Sequence, residues 1–244
     1  MKLILLAAGK SSRIYNDIGL NKCLIKVKNK SLIQKIIDDG YHSGIKKIDV
    51  ITGFKPNNIK QNLKKYNKLR FINNNKYNHT DMVHSALLGL KKDNTDTIIS
   101  YTDIYFQKSI FSQLIKSKNK NITIPFIKNW KQIWKIRKKN IFEDAETFKI
   151  DKNSFLKEIG QKINKKNLKE IDGQFMGLIY IPKEHIKLVI KLYKKNNNRK
   201  LQFTGFLNSL IKDDIKLSSI EYKKFWYEID DLEDYKNLKK IIKQ

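Results

Sequence analysis

Cysteine is almost missing from this chain. Cys23 is the only one in 244 residues, so an internal disulfide or a cysteine-built zinc site is excluded, and a reduced compartment is expected. Arginine is nearly as scarce: of 51 basic residues only Arg13, Arg70, Arg137 and Arg199 are arginines. Three prolines and ten glycines leave no Pro/Gly/Ser-rich stretch to act as a linker, and no internal repeat is visible. No apolar run approaches the ~20 residues of a membrane span. The opening MKLILLAA is broken by Gly9 and Lys10 too soon for a secretory leader, so a cytoplasmic protein is expected. No Ser/His/Asp arrangement for nucleophilic catalysis stands out either; His79 and His84 flank Thr80–Met82 and read as structural.

Negative charge is in short supply too, with 24 acidic residues against 51 basic ones and a formal charge of +27. Such a balance raises nucleic-acid binding. Against it, lysine is interleaved with asparagine and isoleucine throughout, as in NNNKYN and KINKKN, which is a compositional bias and not a designed basic face. A non-catalytic nucleic-acid-binding protein is therefore the least favoured of three readings. The charge still draws anionic nucleotides toward the molecule.

What is present is an alternation of strand and helix. Residues 2 to 6 form a continuous apolar run of the kind buried on both faces of a parallel sheet. SLIQKIIDDGYHSG carries helical spacing, KKIDVITGF reads as a strand, PNNIKQNLKKY as a helix opened by Pro56, LRFINN as a strand, MVHSALLGLKK as a helix and DTIISYTD as a strand. NITIPF adds another strand. Residues 127 to about 160 read as strands, a turn and a lid-like excursion; beyond them come FMGLIYIPKEH as strand into helix, helices at 183–195 and 203–212, a strand in DDIKLSSIEY and a closing helix in DLEDYKNLKKIIKQ. The order predicts an α/β protein, a Rossmann-like three-layer α/β/α arrangement with a mostly parallel sheet and an elaborated C-terminal half. A single domain over 1–244 is expected, with 1–126 as a nucleotide-binding half and 127–244 as an acceptor-binding half.

The chemistry concentrates at strand ends. LLAAGKSSR stops an apolar strand at Gly9 and continues into Lys10, Ser11, Ser12 and Arg13, a loop that can offer backbone N–H groups and a cation to phosphate. Asp103 follows the strand TIISYT at the same sheet edge, and Asp230 sits in FWYEIDDLEDY where a short strand gives way to a helix. Two carboxylates beside a phosphate cradle suit Mg²⁺, which takes oxygen ligands from one or two carboxylates plus substrate phosphates. Lys22 is placed to bring an ammonium over those phosphates from the side opposite Arg13.

LAAGKSSR together with NKCL resembles the signature of nucleotidyltransferases that activate sugar and alcohol phosphates, L-A-A-G-x-G-x-R followed by P-K-x-L. TDMVHSALLGL is similar to T-N-M-x-x-S-L, SYTDIYF to Y-x-D-I-x-F, EDAE and LKEIG to D-A-E and E-I-G, GQFMGLIYI to G-E-F-x-G-L, and FWYEIDDLEDY to W-x-E-I-D-x-x-E-D-L. These matches span residues 1 to 238 and resemble the branch holding phosphocholine and 2-aminoethylphosphonate cytidylyltransferases. Molybdopterin guanylyltransferases share the first motif, so the W-x-E-I-D stretch is the sharper discriminator.

The resemblance implies a nucleotide-diphospho-sugar transferase type fold, CTP as donor and Mg²⁺ as cofactor. It implies that Leu6, Ala7, Ala8 and Gly9 approach base and ribose, that Ser11, Ser12 and Arg13 line the triphosphate, that Lys22 meets the phosphates at the reacting centre, that Asp81 and Ser85 help hold the nucleoside, and that Asp103 and Asp230 hold the metal. Four positions depart from the pattern. Ser11 stands for the second glycine, which it can serve with a negative φ; Asn21 stands for proline, Asp81 for asparagine and Gln174 for glutamate.

For the acceptor, Trp130, Trp134 and Tyr180 could form an aromatic cage for a trimethylammonium group. Asp144 and Glu146 could instead clamp a primary ammonium, and Trp226 could shape the pocket. The expected function is Mg²⁺-dependent transfer of CMP from CTP to a phosphocholine- or phosphonate-type acceptor with release of pyrophosphate. A sugar-1-phosphate nucleotidylyltransferase is the alternative; the oligomeric state is left open.

Overall fold

The computed structural model describes residues 1–117, 120–137, 139–195 and 200–243, so Arg199 lies outside the described residues. Strand β1 (Lys2–Ala7) is buried at every position near the centre of the main sheet. Its side chains alternate between faces, as a strand's must. Leu3, Leu5 and Ala7 enter one core; Ile4, Leu6 and Ala8 enter the other. The two cores make three layers.

Parallel strands β4 (Lys47–Thr52) and β6 (Thr97–Tyr101) flank β1, and β5 (Leu69–Asn73) extends the parallel set beyond β4. On the other side of β6 the sheet changes sense. Strand β12 (Leu178–Ile181) runs antiparallel to β6 and to β8 (Thr123–Ile127), while β11 (Gln174–Phe175) and β13 (Ser218–Glu221) pair with β8. Helices α2 (Leu32–His42), α3 (Pro56–Asn62), α5 (Ser109–Ser117), α6 (Trp130–Arg137) and α10 (Leu232–Lys243) bury their apolar residues in the first core. Helices α4 (Met82–Leu90), α8 (Lys183–Lys195) and α9 (Phe203–Lys212) cover the second. Three short elements complete the N-terminal half: α1 (Ser12–Ile18) and the hairpin β2 (Lys26–Val27) with β3 (Lys30–Ser31).

Local signals explain several boundaries. Ser31 caps α2 by accepting from the Gln34 N–H at 3.4 Å while Gln34 Oε1 accepts from the Ser31 N–H at 3.1 Å, a reciprocal arrangement that fixes the helix start. Pro56 opens α3, where its missing N–H costs nothing.

The expectation of strands, a turn and a lid-like excursion after residue 127 is corrected for residues 130–137, while the strands and their turn are found at 146–162. Trp130, Ile133, Trp134 and Arg137 recur at helical spacing and are all buried, so this stretch is the helix α6. One turn of helix, α7 (Ile141–Asp144), leads into the antiparallel pair β9 (Glu146–Ile150) and β10 (Leu156–Lys162), which packs on α9. Last, β7 (Ile104–Phe106) pairs antiparallel with β14 (Trp226–Glu228).

Ser11 also departs from expectation. Its φ is +51° and ψ 44°, the left-handed region, so it occupies the conformation for which glycine is free of cost and not the negative φ that would suit serine. An L-residue loses about 1 kcal/mol there. Ser11→Gly should therefore raise the melting temperature by about 2–4 °C, read from a thermal melt followed by circular dichroism.

Candidate active site

The parallel strands end at one edge, and the site lies there. The turn after β1 carries Gly9 and Ser11, with Arg13 following in the first turn of α1; the turn after β6 carries Thr102 and Asp103, with Thr102 Oγ1 donating to the Leu6 carbonyl at 2.8 Å and tying that turn to β1. The β7–β14 ladder then sets residue 228 opposite Ile104, and the Ile229 N–H donates to the Asp103 carbonyl at 3.0 Å. Strand periodicity does the rest. Trp226, Glu228 and Asp230, two apart, face the same way, and all three line one cavity.

Lys22 sits in a single 3₁₀ turn (Lys22–Leu24), with its ammonium 3.0 Å from Asp103 Oδ2 and 3.0 Å from Asp230 Oδ1. Burial works to lower the Lys22 ammonium, but the charges of Asp103 and Asp230 override that and hold it well above the usual lysine range. Asp230 receives a second cation: Arg137 Nη2 donates to its Oδ2 at 2.7 Å. Burial works to raise the Asp230 carboxyl, while Lys22 and Arg137 prevail and lower it. Glu228 has weaker support, with Arg137 Nη1 3.6 Å from its Oε2. Burial, with the Asp230 charge beside it, pushes its carboxyl up to about 8.

One oxygen from each of Asp103, Glu228 and Asp230 can be chosen so that all lie within 4.8 Å of one another. Asp103 Oδ1 is buried and accepts no hydrogen bond among the described residues. Around this point Asp103, Asp144, Glu228, Asp230 and Asp234 outnumber the buried cations Lys22 and Arg137. An all-oxygen, anionic donor set of this kind fits a hard divalent cation. His79 and His84 are not part of it; His84 packs against Tyr193.

Two cavities meet here. The first, about 290 Å³, is walled by Leu6, Ala7, Ala8, Gly9, Ser11, Arg13, Lys22, Asp81, Ser85 and Asp103 among others. The second, about 260 Å³, is walled by Trp134, Asp144, Glu146, Gln174, Thr204 and Trp226 among others. Arg13, Met82, Tyr101, Glu228 and Asp230 belong to both walls. Arg13 is mostly exposed, its Nη2 3.9 Å from Asp230 Oδ1.

Most residues singled out from sequence are thus brought together, but three are not. Ser12 is exposed at the start of α1 and lines neither cavity. Trp130 is 1% exposed on the core face of α6, edge-on to Trp134, because its helical spacing with Ile133, Trp134 and Arg137 turns it into the core. Tyr180 pairs with Ile98, toward the amino end of β6, and lines a separate depression with Asp96 and Lys183. No three-walled aromatic cage forms from this trio. Trp134 and Trp226 stack on each other at 6.3 Å, and the Arg137 guanidinium lies 5.0 Å from the Trp134 ring.

The departures from the family pattern have local explanations. Asn21 Nδ2 donates to the Phe54 carbonyl at 3.0 Å, a bond proline cannot make. Gln174 uses both ends of its amide on one neighbour: Oε1 accepts from the Glu146 N–H at 3.2 Å and Nε2 donates to the Glu146 carbonyl. A glutamate could only accept. Asp81 caps α4, its Oδ1 accepting from the Met82 N–H at 2.6 Å. Sequence reasoning passed over Glu228, Arg137 and Asn74. Glu228 could have been found from its period-2 relation to Asp230. Buried Asn74 donates to Ser85 Oγ at 3.1 Å and to Thr80 Oγ1 at 3.0 Å, organising the wall that carries Ser85 and Asp81.

A curled, mainly parallel sheet with its cleft at the carboxyl edge is the nucleotide-diphospho-sugar transferase type of fold, and the enzymes built on it include nucleotidyltransferases. This chain belongs to that class through the MobA-like NTP transferase domain family, whose model matches residues 3–165. It is 32% identical to a CTP:phosphoglutamine cytidylyltransferase of Campylobacter jejuni, over 96% of this chain and 97% of that protein. Among solved structures, a CTP:phosphocholine cytidylyltransferase from Streptococcus pneumoniae superposes with a TM-score of 0.71 at 19% identity, covering 99% of this chain and 98% of that one. A UDP-glucose pyrophosphorylase complexed with UDP-glucose gives 0.76 at 14% identity, covering 99% and 98%. Among the described residues no helix is long and apolar enough to cross a membrane.

Gly9 offers a sharp test of the first cavity. A Cβ built there meets no atom within 4 Å, so packing does not demand glycine at this position. Gly9→Ala should leave the melting temperature unchanged within about 2 °C while setting a methyl group into the first cavity, so a raised KM for nucleotide is the expected outcome. Melting curves alongside steady-state kinetics check both halves.

Proposed function

We propose that this enzyme transfers CMP from CTP to a small phosphate or phosphonate acceptor bearing nitrogen-bound hydrogen, releasing pyrophosphate and requiring Mg²⁺. The observation that carries the reading is the meeting of the two cavities at Arg13, Glu228 and Asp230, beside Lys22. The first cavity, from residues 1–126, takes CTP; the second, built mainly from 127–244, takes the acceptor. The likeness along nearly the whole chain to a protein named for CTP and phosphoglutamine supports both the nucleotide and the class of acceptor.

The acceptor's phosphate or phosphonate oxygen attacks the α-phosphorus, a new P–O bond forms in line with the bond to the bridging oxygen, and pyrophosphate departs with that bond's electrons. The nucleophile is already an anion, so no general base is needed. The difficulty is bringing two anions together. Lys22 exchanges its carboxylate partners for phosphate oxygens, and Arg13, reachable from both cavities, spans donor and acceptor. Asp103 and Asp230, with Glu228, would hold Mg²⁺, which would supply charge neutralisation at the phosphates.

Acceptor choice follows from the second wall. Asp144 and Glu146 are carboxylates held in a partly buried pocket, where burial raises both. Gln174 fixes the backbone of Glu146. N–H groups of a primary ammonium, as in 2-aminoethylphosphonate, or of an amide find acceptors there. A trimethylammonium group has no N–H to give to these carboxylates and would rest on the aromatic part of the wall, Tyr101, Trp134, Phe175 and Trp226; phosphocholine is therefore expected to be the poorer acceptor.

Pyrophosphate release with Mg²⁺ should be fast for CTP with 2-aminoethylphosphonate or phosphoglutamine, slower with phosphocholine and absent with glucose-1-phosphate. Turnover with glucose-1-phosphate alone would replace this reading by the sugar-phosphate one. Asp103→Ala and Asp230→Ala should abolish turnover. Glu146→Gln should raise the acceptor KM by about tenfold, the equivalent of one charge-assisted hydrogen bond, with the KM for CTP unmoved.

A further inference from the structure

Arg137 is the most deeply buried cation near the site, its side chain fully enclosed, yet it lines neither cavity. It faces four carboxylates, from α7, β14, α10 and the turn between β14 and α10. Nη2 donates to Asp230 Oδ2 at 2.7 Å; Nε and Nη2 reach the two oxygens of Asp234 at 3.2 and 3.3 Å; Nη1 lies 3.4 Å from Asp144 and 3.6 Å from Glu228. The guanidinium plane is held on its far side by Asp234, which also accepts from the Asp230 N–H at 2.9 Å. Asp230 is therefore pinned by backbone and side chain at once. Its Oδ2 is spent on Arg137, leaving Oδ1 to face Lys22 and the cleft.

We infer that Arg137 is a positioning residue: it fixes the rotation of the Asp230 carboxylate so that one defined oxygen is presented to the cleft, and it holds Asp144 of the acceptor wall in register with that carboxylate. The inference rests on the cytidylyltransferase reading for the meaning of the cleft. Charge alone does not suffice for such a role. A guanidinium reaches Asp230 and both oxygens of Asp234 together because its donors diverge in a fixed plane; an ammonium at the same place is a point charge that cannot. Groups that orient a metal-binding carboxylate without touching the ion typically change affinity or activity by about 10–100-fold when replaced.

The test compares Arg137→Lys and Asp234→Asn with the unsubstituted enzyme. Two readouts are taken: Mn²⁺ binding by electron paramagnetic resonance in the presence of CTP, which requires no turnover, and steady-state kinetics with separate KM values for CTP and acceptor. Both variants should weaken Mn²⁺ binding and lower kcat by about tenfold or more, with the KM for CTP within about threefold of the unsubstituted value. Asp234 lines neither cavity and reaches Asp230 through Arg137 and the Asp230 N–H, its further cation being Lys139 at 3.7 Å, and Asp234→Asn decides the matter should Arg137→Lys fail to fold. Mn²⁺ affinity and kcat at unsubstituted levels in either folded variant would overturn the inference. Absence of turnover in the unsubstituted enzyme with CTP and every acceptor would instead defeat the cytidylyltransferase reading, and the Mn²⁺ titration would still judge Arg137.

Discussion

The ammonium of Lys22 rests between two carboxylates that lie 81 and 208 positions further along the chain. Nothing local could bring them together. The sheet does so in two stages, first by setting β1 and β6 side by side so that the turns at Gly9 and Asp103 share an edge, then by pairing β7 with β14 so that Glu228 and Asp230 arrive next to Asp103. Each carboxylate is costly to bury unless paired. Lys22 lowers that cost for Asp103 and Asp230 while remaining within reach of anything that enters the cleft. The contact is at once a fold constraint and the electrostatic centre of the site.

Glu228 and Arg137 extend the same logic in opposite directions. Arg137 gives Asp230 a permanent partner from the protein side, which keeps that carboxylate ionised in a buried setting. Glu228, with burial and Asp230 against it, is the carboxyl most easily protonated in the cluster. An excess of carboxylates over buried cations is tolerable where a further positive charge is to be accommodated. The acceptor wall repeats the pattern with Asp144, which lies 3.4 Å from Arg137.

Much of this was legible in the sequence, for reasons that differ by region. Within residues 1–126 the strands of the main sheet each write one apolar run, and α2, α3 and α4 each a helical stripe, with Ser31 and Pro56 marking starts; the short β2, β3 and β7 and the helices α1 and α5 were passed over. The stretch after residue 127 is ambiguous: Trp130, Ile133 and Trp134 suit strand or helix by residue type, and their helical period becomes plain only once Arg137 is seen to share the buried face. In the site, Lys22, Asp103 and Asp230 could be found because each stands at a motif position. Arg137 could not, since its four carboxylate neighbours come from α7, β14, α10 and the turn between the last two. Trp130 and Tyr180 misled because a buried aromatic and a ligand-facing aromatic look the same in one dimension. Tyr180 lies on the right strand but toward its wrong end.

Gln174 and Asn21 make a related point. Each breaks a family pattern, and each makes hydrogen bonds that the usual residue could not, Gln174 to both backbone groups of Glu146 and Asn21 to the carbonyl of Phe54. Departures of this kind are adjustments of the walls and leave the charged centre as it is. The central claim is that CTP and acceptor meet at Asp230, one in each cavity. A crystal structure with α,β-methylene CTP, an acceptor phosphonate and Mn²⁺ located by its anomalous signal tests it most directly. The account predicts the α-phosphorus beside Lys22, the acceptor's phosphorus across from it within reach of Arg13, and the ion on Asp103 and Asp230. Nucleotide and acceptor seated in the same cavity, or the ion bound away from those carboxylates, would contradict it.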